Sequence, residues 1–165
     1  AMSKDGNVFV VCGFNPHTLC VFERHHNSSG SGSGSGGGGD GDEEYVETQR
    51  MALPSEPDSV CITPSGGTIV CGMVDDGVCV YRRSGDGGAY VETQRLEGRG
   101  CKVAVVDEDV VVGVEYRDCV FRVWRRSGGG GEYVEAQRLA LKDAVGDVWG
   151  RDACWCTIVR LLVTT

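Results

Sequence analysis

A six-residue string recurs three times along the chain. Tyr45–Arg50 reads "YVETQR", Tyr90–Arg95 repeats it, and Tyr133–Arg138 reads "YVEAQR", at steps of 45 and 43 residues. Self-similarity at such a period means stacked copies of one supersecondary unit, none of which buries its apolar face alone. Other landmarks recur in the same order. "VCG" at Val11–Gly13, "VCG" at Val70–Gly72 and "VVG" at Val111–Gly113 mark one element. "CVFER" from Cys20, "CVYRR" from Cys79 and "CVFRVWRR" from Cys119 mark the next.

Each full unit reads as four short β segments. "SVCIT" leads through the turn "PSGG" into "TIVCGMV", the Asp76-Gly77 turn, "VCVYRR", a glycine loop and "YVETQRL". The next unit runs "KVAVV", "DED", "VVVGVEY", "RD", "CVFRVWRR", a loop and "YVEAQRL". Such β-branched and aromatic runs, bounded by turn residues every 8–12 or so positions, predict an all-β fold of antiparallel four-stranded repeats. Continuous valine runs predict strands covered on both faces. Only Ala140–Ala144 has helical character, for one turn at most. The units fall at approximately 7–51, 58–96 and 101–139, with a partial fourth at 144–165 and no opening strand in the first. All of 1–165 is expected to form a single repeat domain.

The Ser/Gly tract inside "HHNSSGSGSGSGGGGDGDEE" (25–44) occupies the slot filled by "RRSGDGGA" and "RRSGGGGE" in the later units. It is therefore expected to be an inflated hairpin loop, disordered over 27–43, rather than a link between domains. Closure entropy grows logarithmically with length, so roughly thirteen extra residues cost on the order of 1 kcal/mol.

The net charge of −8 and pI near 4.8 argue against nucleic acid or an anionic membrane as partner. There is no apolar run long enough for a transmembrane helix, and no signal-peptide pattern opens the chain. "AMSKDG" places Ala before Met, which leaves the natural start open. The nine cysteines leave one unpaired in any complete disulfide scheme, which favours reduced thiols in a reducing compartment.

Together "KVAVVDEDVVVGV", "CVFRVWRRSGGGGEYVEAQRL" and "GDVWG" at Gly146–Gly150 resemble the FG-GAP-type repeat of β-propeller proteins. Trp149-Gly150 stands for the family's Phe-Gly pair, Val112-Gly113-Val114 for its Gly-Ala hairpin end, and Gln137-x-Leu139 for its closing strand. The second and third units carry "EPDS" and "GRGC" where the Phe-Gly pair belongs, and the Gly-Ala-Pro end is absent. The calcium loop of some members has no counterpart, because "TPSGGT" has no acid and Asp107–Asp109 is too short. The resemblance implies a β-propeller-like partial ring, with a threefold β-trefoil-like fold as the alternative. About three and a half units fall short of the four or more blades of closed propellers. Either the chain is part of a longer propeller, or two copies complete a ring about a two-fold axis.

No catalytic residue, cofactor or metal is expected from these residues, and the chain reads as a non-enzymatic scaffold. Cys71 aligns with Val112 and Cys61 with Ala104, so the cysteines mark small apolar core positions. Zinc pairs spaced C-x2–4-C are missing. Cys154 and Cys156 would share one face of a strand. His17, His25 and His26 have no fixed third ligand, and "DGDEE" reads as a solvated acidic end to the loop. The G-x-G-x-x-G match at Gly32, Gly34 and Gly37 lacks the strand and helix of a dinucleotide site. The recurrence of Glu47, Glu92 and Glu135 at one repeat position points to a structural role, such as cross-strand pairing with Arg50, Arg95 and Arg138.

The candidate partner-binding residues are Arg82, Arg83, Arg125, Arg126 and Trp155. The expected partner is protein, either another protein or a second copy joined through open edge strands. A lectin-like module binding carbohydrate or another small ligand is the alternative, with Trp124, Trp149 and Trp155 as stacking aromatics. Excising Ser28–Gly39 is expected to leave folding intact. A melting temperature within a few degrees of the parent checks this.

Overall fold

The computed structural model describes residues 1–26, 43–85, 87–99, 101–128 and 131–140. The expected disordered loop, apart from its last residue, and the expected fourth unit lie outside these residues, as do Trp149 and Trp155. So does most of the short helical stretch; Ala140 itself ends a strand.

Eleven strands follow one another in the described chain: β1 Val8–Phe14, β2 His17–His26, β3 Glu43–Ala52, β4 Pro57–Ile62, β5 Thr68–Met73, β6 Val78–Arg83, β7 Tyr90–Leu96, β8 Cys101–Val105, β9 Val110–Glu115, β10 Val120–Arg126 and β11 Tyr133–Ala140. They form three antiparallel meanders, β1-β2-β3, β4-β5-β6-β7 and β8-β9-β10-β11. No sheet is shared between units, so the trefoil alternative falls away. The sheets stack as consecutive blades of an open, partial propeller-like arc. β4 and β8 lie side by side at the inner edge, and each also touches the second strand of the preceding blade's pattern, β1 or β5. Among the described residues there is no helix.

Tight turns set each hairpin. Gly77 follows Asp75-Asp76 with φ of 78°, and a Cβ there would stand 2.4 Å from the Leu96 carbonyl oxygen. Glycine alone tolerates both demands.

In place of an opening strand, the first blade has a stub. Met2 bridges Phe9, and the Ser3 amide donates to the Val8 carbonyl at 2.9 Å. The same bond recurs from Thr63 to Thr68 and from Val106 to Val110, each at 2.9 Å. Three residues without a valine run leave little trace in a sequence, which is why the position looked empty.

Alternation places one apolar set of each strand against the preceding blade and the other against the next. Between blades one and two, Val8, Val10, Leu19 and Val21 meet Ile62, Ile69, Cys71, Met73, Cys79 and Tyr81. Between blades two and three, Val70, Val78, Val80 and Leu96 meet Cys101, Val103, Val111 and Trp124. β5 and β9 are buried along their whole length, as the valine runs predicted. Full burial of a valine or leucine contributes about 1.5–3 kcal/mol, so these seams supply most of the stabilisation.

The register corrects one sequence alignment. Val10, Val70 and Val112 pair with Val21, Val80 and Val123 respectively. The "VCG", "VCG" and "VVG" landmarks are therefore offset by a residue, a slip that exchanges faces. Cys71 corresponds to Gly113, not Val112, although both positions demand a small residue. The match of Cys61 with Ala104 holds, because they pair with Val70 and Val112.

The inner seam is tied by a side chain acting as backbone. Ser59 Oγ accepts from the Val103 amide at 2.9 Å and donates to the Cys101 carbonyl at 3.3 Å. Gly72 lies at the same contact: a Cβ there would sit 1.9 Å from the Cys101 carbonyl oxygen. Gly72→Ala is expected to cost about 1–3 kcal/mol through overpacking. A urea midpoint compared with the parent's measures it.

Candidate functional site

The repeated string shapes the outer strand of every blade. Val21 pairs with Gln49 and Phe22 with Glu47, which leaves Thr48 unpaired as a β-bulge. The same shift falls between Val80 and Tyr81 and between Val123 and Trp124, leaving Thr93 and Ala136 as the extra residues. A bulge re-aims the side chains beside it. Here it turns a glutamine toward the neighbouring blade.

Gln49 Nε2 donates to the Tyr90 carbonyl at 2.7 Å, and the Tyr90 amide donates back to Gln49 Oε1 at 2.7 Å. Gln94 repeats this with Tyr133 at 2.6 and 2.8 Å. A primary amide presents one donor and one acceptor side by side, so it completes a peptide edge as a strand would. The tyrosines are anchored in turn. Tyr45 Oη donates to the Gly6 carbonyl at 2.6 Å, Tyr133 Oη to that of Glu108 at 2.9 Å, and Tyr90 Oη to that of Gly66. Arg24, Arg83 and Arg126 lie over their rings at 6.0, 5.2 and 4.9 Å, a cation–π distance.

Three of the predicted partner-binding arginines are used inside the arc. Arg83 crosses the first seam to Glu23. Arg82 reaches over the second to the Gly131 carbonyl and lies 5.8 Å from the Tyr133 ring. Arg126 bonds Thr68 Oγ1 at 3.2 Å and Tyr133 Oη at 3.0 Å. Arg125 alone of the four is exposed, at the position equivalent to Arg82.

In their outer strands the two ends of the described arc lack what the seams contain, whereas Val112, Phe121 and Val123 on the inner part of the third blade's outward face are buried. Tyr90 and Tyr133 are 2% exposed, but Tyr45 is 37% exposed and no glutamine reaches its backbone among the described residues. Gln49 and Gln94 are half-buried, whereas Gln137 is exposed. Met2 and Val11, on the open face of the first blade, are 55% and 40% exposed. Gln137 and Leu139 face the opposite open end. The sequence held one signal of this, since nothing on a solvated strand requires glutamine three times over.

The acid–arginine pairs form in two blades, but within one strand rather than across strands: Glu47 with Arg50 at 2.8 Å and Glu92 with Arg95 at 2.6 Å, each three residues apart. In the third blade Glu135 turns to Arg122 instead, and Arg122 also bonds buried Glu115 at 2.5 Å. Burial opposes charge on Arg122, but both carboxylates outweigh it and its pKa is raised. Trp124, named as a sugar-stacking residue, is 2% exposed and packed in the second seam. Burial pushes the Cys101 thiol up to about 12 and raises Cys71 as well, so neither is a ready thiolate ligand or nucleophile. Among the described residues, no three of His, Cys, Asp and Glu converge on one point.

Neither a protein-family model nor a curated protein sequence matches the chain. Solved structures do. A Bacteroides fragilis protein provisionally named a 6-phosphogluconolactonase has a TM-score of 0.61 at 13% identity, over 85% of this chain and 38% of its own. The periplasmic gluconolactonase PpgL of Pseudomonas aeruginosa gives 0.59 and 14%, over 85% and 38%. Hsv2 of Kluyveromyces marxianus gives 0.54 and 12%, over 85% and 44%. The chain spans roughly two fifths of the proteins it matches, and the likeness is one of fold. This is a partial β-propeller.

The FG-GAP-type resemblance extends to the propeller architecture and no further. The expectation that the chain is not an enzyme is corrected: neighbours with this framework are named as lactonases, so a missing sequence motif does not exclude catalysis. Gln94→Ala is expected to lower stability by about 1–3 kcal/mol, because two backbone groups of Tyr133 lose their partner. Chemical denaturation with an unchanged m-value checks it.

Proposed function

We propose that this chain is a propeller-like protein-interaction module that binds protein through the open ends of its blade arc, a further copy of itself included. The observation that carries the reading is the pair of unfinished seams. Tyr45 with Met2 and Val11 at one end, and Arg125, Gln137 and Leu139 at the other, repeat side chains that elsewhere join blade to blade. An exposed edge strand is a template for pairing, and exposed apolar residues beside it favour a protein partner. The acidic balance, at −8, speaks against nucleic acid and anionic lipid as alternatives.

A second reading is lactone hydrolysis, which rests on the names of two neighbours. Acid release from gluconolactone or its 6-phosphate, faster than in buffer alone, would establish it. A rate equal to that of buffer would remove it.

For the first reading, light scattering over a wide concentration range is expected to show masses rising above the 17.6 kDa of one chain. A constant single-chain mass would remove self-association.

A further inference from the structure

We propose that Gln137 of one copy clasps the backbone of Tyr45 of a second copy, and that two such contacts close a pair about a two-fold axis. The inference rests on the interaction reading above and names its contact. Within the chain the clasp is made twice with the same partners, Gln49 on Tyr90 and Gln94 on Tyr133. Position by position, Gln137 is the next donor and Tyr45 the preceding acceptor. The first has no tyrosine and the second no glutamine among the described residues.

The flanking groups agree with this pairing. Tyr133 lies between Arg126 of its own blade at 4.9 Å and Arg82 of the preceding blade at 5.8 Å. Among the described residues, Tyr45 has only the first of these cations, Arg24 at 6.0 Å. Arg125 is the equivalent of Arg82 and is exposed, so it supplies the second in the paired arrangement. Leu139 corresponds to Leu96, which is 6% exposed in the second seam, yet Leu139 is 45% exposed. On the receiving side, Phe9 packs at a tilt against Phe22 at 5.6 Å and edge-on to Tyr45 at 6.3 Å, a preformed aromatic cluster beside exposed Val11. The inner part of the third blade's outward face, Val112 and Phe121 among it, is already buried. The contact therefore uses the outer strands, β11 against β3.

A contact between unlike surfaces either closes into a ring or propagates. The chain spans 38–44% of the propeller-fold proteins it matches, so two copies supply about the length of one ring. The second copy is the occupant to which the matching of donor to acceptor points.

Sedimentation or light scattering of the 165-residue chain, beside Gln137→Ala and Gln137→Glu, tests the clasp. The parent is expected to form pairs. Both variants are expected to associate roughly tenfold more weakly, since the first removes both hydrogen bonds and the second the donor. Their melting temperatures at concentrations where the parent is a single chain should stay unchanged, whereas Gln49→Ala melts lower at any concentration. Parent and variants pairing equally would overturn the clasp and leave the interaction reading standing. A parent that never pairs overturns the clasp and removes self-association from the interaction reading, and growth beyond two chains overturns the two-fold closure.

Discussion

The fold depends on valine-rich strands that have no solvent-facing side. A lone meander of this sequence would leave one apolar face in water, with a few kcal/mol lost for each large side chain left bare. Blades therefore exist only as neighbours. That obligation organises the rest of the molecule: the seams hold the stabilisation, and the hairpin ends carry the charge. Hydrophobic contact is non-directional, however, and would let two blades slide past one another. The Ser59 hydroxyl at the inner edge and the Gln49 and Gln94 amides at the outer edge fix the register, each by substituting for a peptide group across the seam. Burial drives the stacking and hydrogen bonding sets its geometry.

The outer clasp depends on a defect in the strand. Without the extra residue at Thr48 or Thr93, Gln49 and Gln94 would not follow the pleat in the way that presents their amides to the next tyrosine. The conserved spacing within "YVETQR" is thus the spacing of a bulge and its consequence. Tyrosine at its start serves both directions, receiving the glutamine on its backbone and sending its hydroxyl to the turn between the first two strands of its own blade. One residue ties a turn, an outer strand and the preceding blade together.

Repeats, strand types and their order were legible in the sequence, because a period near 44 and valine alternation are both direct images of the fold. The bulge was not, because "VETQR" alternates well enough to read as a plain strand. The one-residue offset of the Val-Cys-Gly landmark had the same origin: small apolar residues on both faces make adjacent registers look alike. The arginine pairs were visible as charge beside a glycine loop, but whether Arg83 points to solvent or across to Glu23 is decided by the neighbouring blade. The ends of the arc became visible only by contrast. Tyr45 and Tyr90 head the same six-residue string and differ in what stands beside them.

The third blade shows how far the pattern bends. Arg122 occupies the place of Cys20 and Cys79, and Glu115 that of Gly13 and Met73, all on the face turned to the preceding blade. A buried arginine alone would carry a desolvation cost of several kcal/mol, as would a buried glutamate alone. Both occur together, bonded at 2.5 Å, so each charge offsets the other, and Glu135, turned from its usual outer-strand arginine, takes the remaining side of the guanidinium. Volume is balanced in the same seam. The aromatic residue grows from Phe22 to Tyr81 to Trp124 while its diagonal neighbour shrinks from Val11 to Cys71 to Gly113, where a Cβ would meet the indole at 2.7 Å. What the repeat preserves is therefore the filling of each seam and the pairing of its buried charge rather than any one side chain. A string such as "YVExQR" persists because its groups bond to backbone, which does not vary from blade to blade.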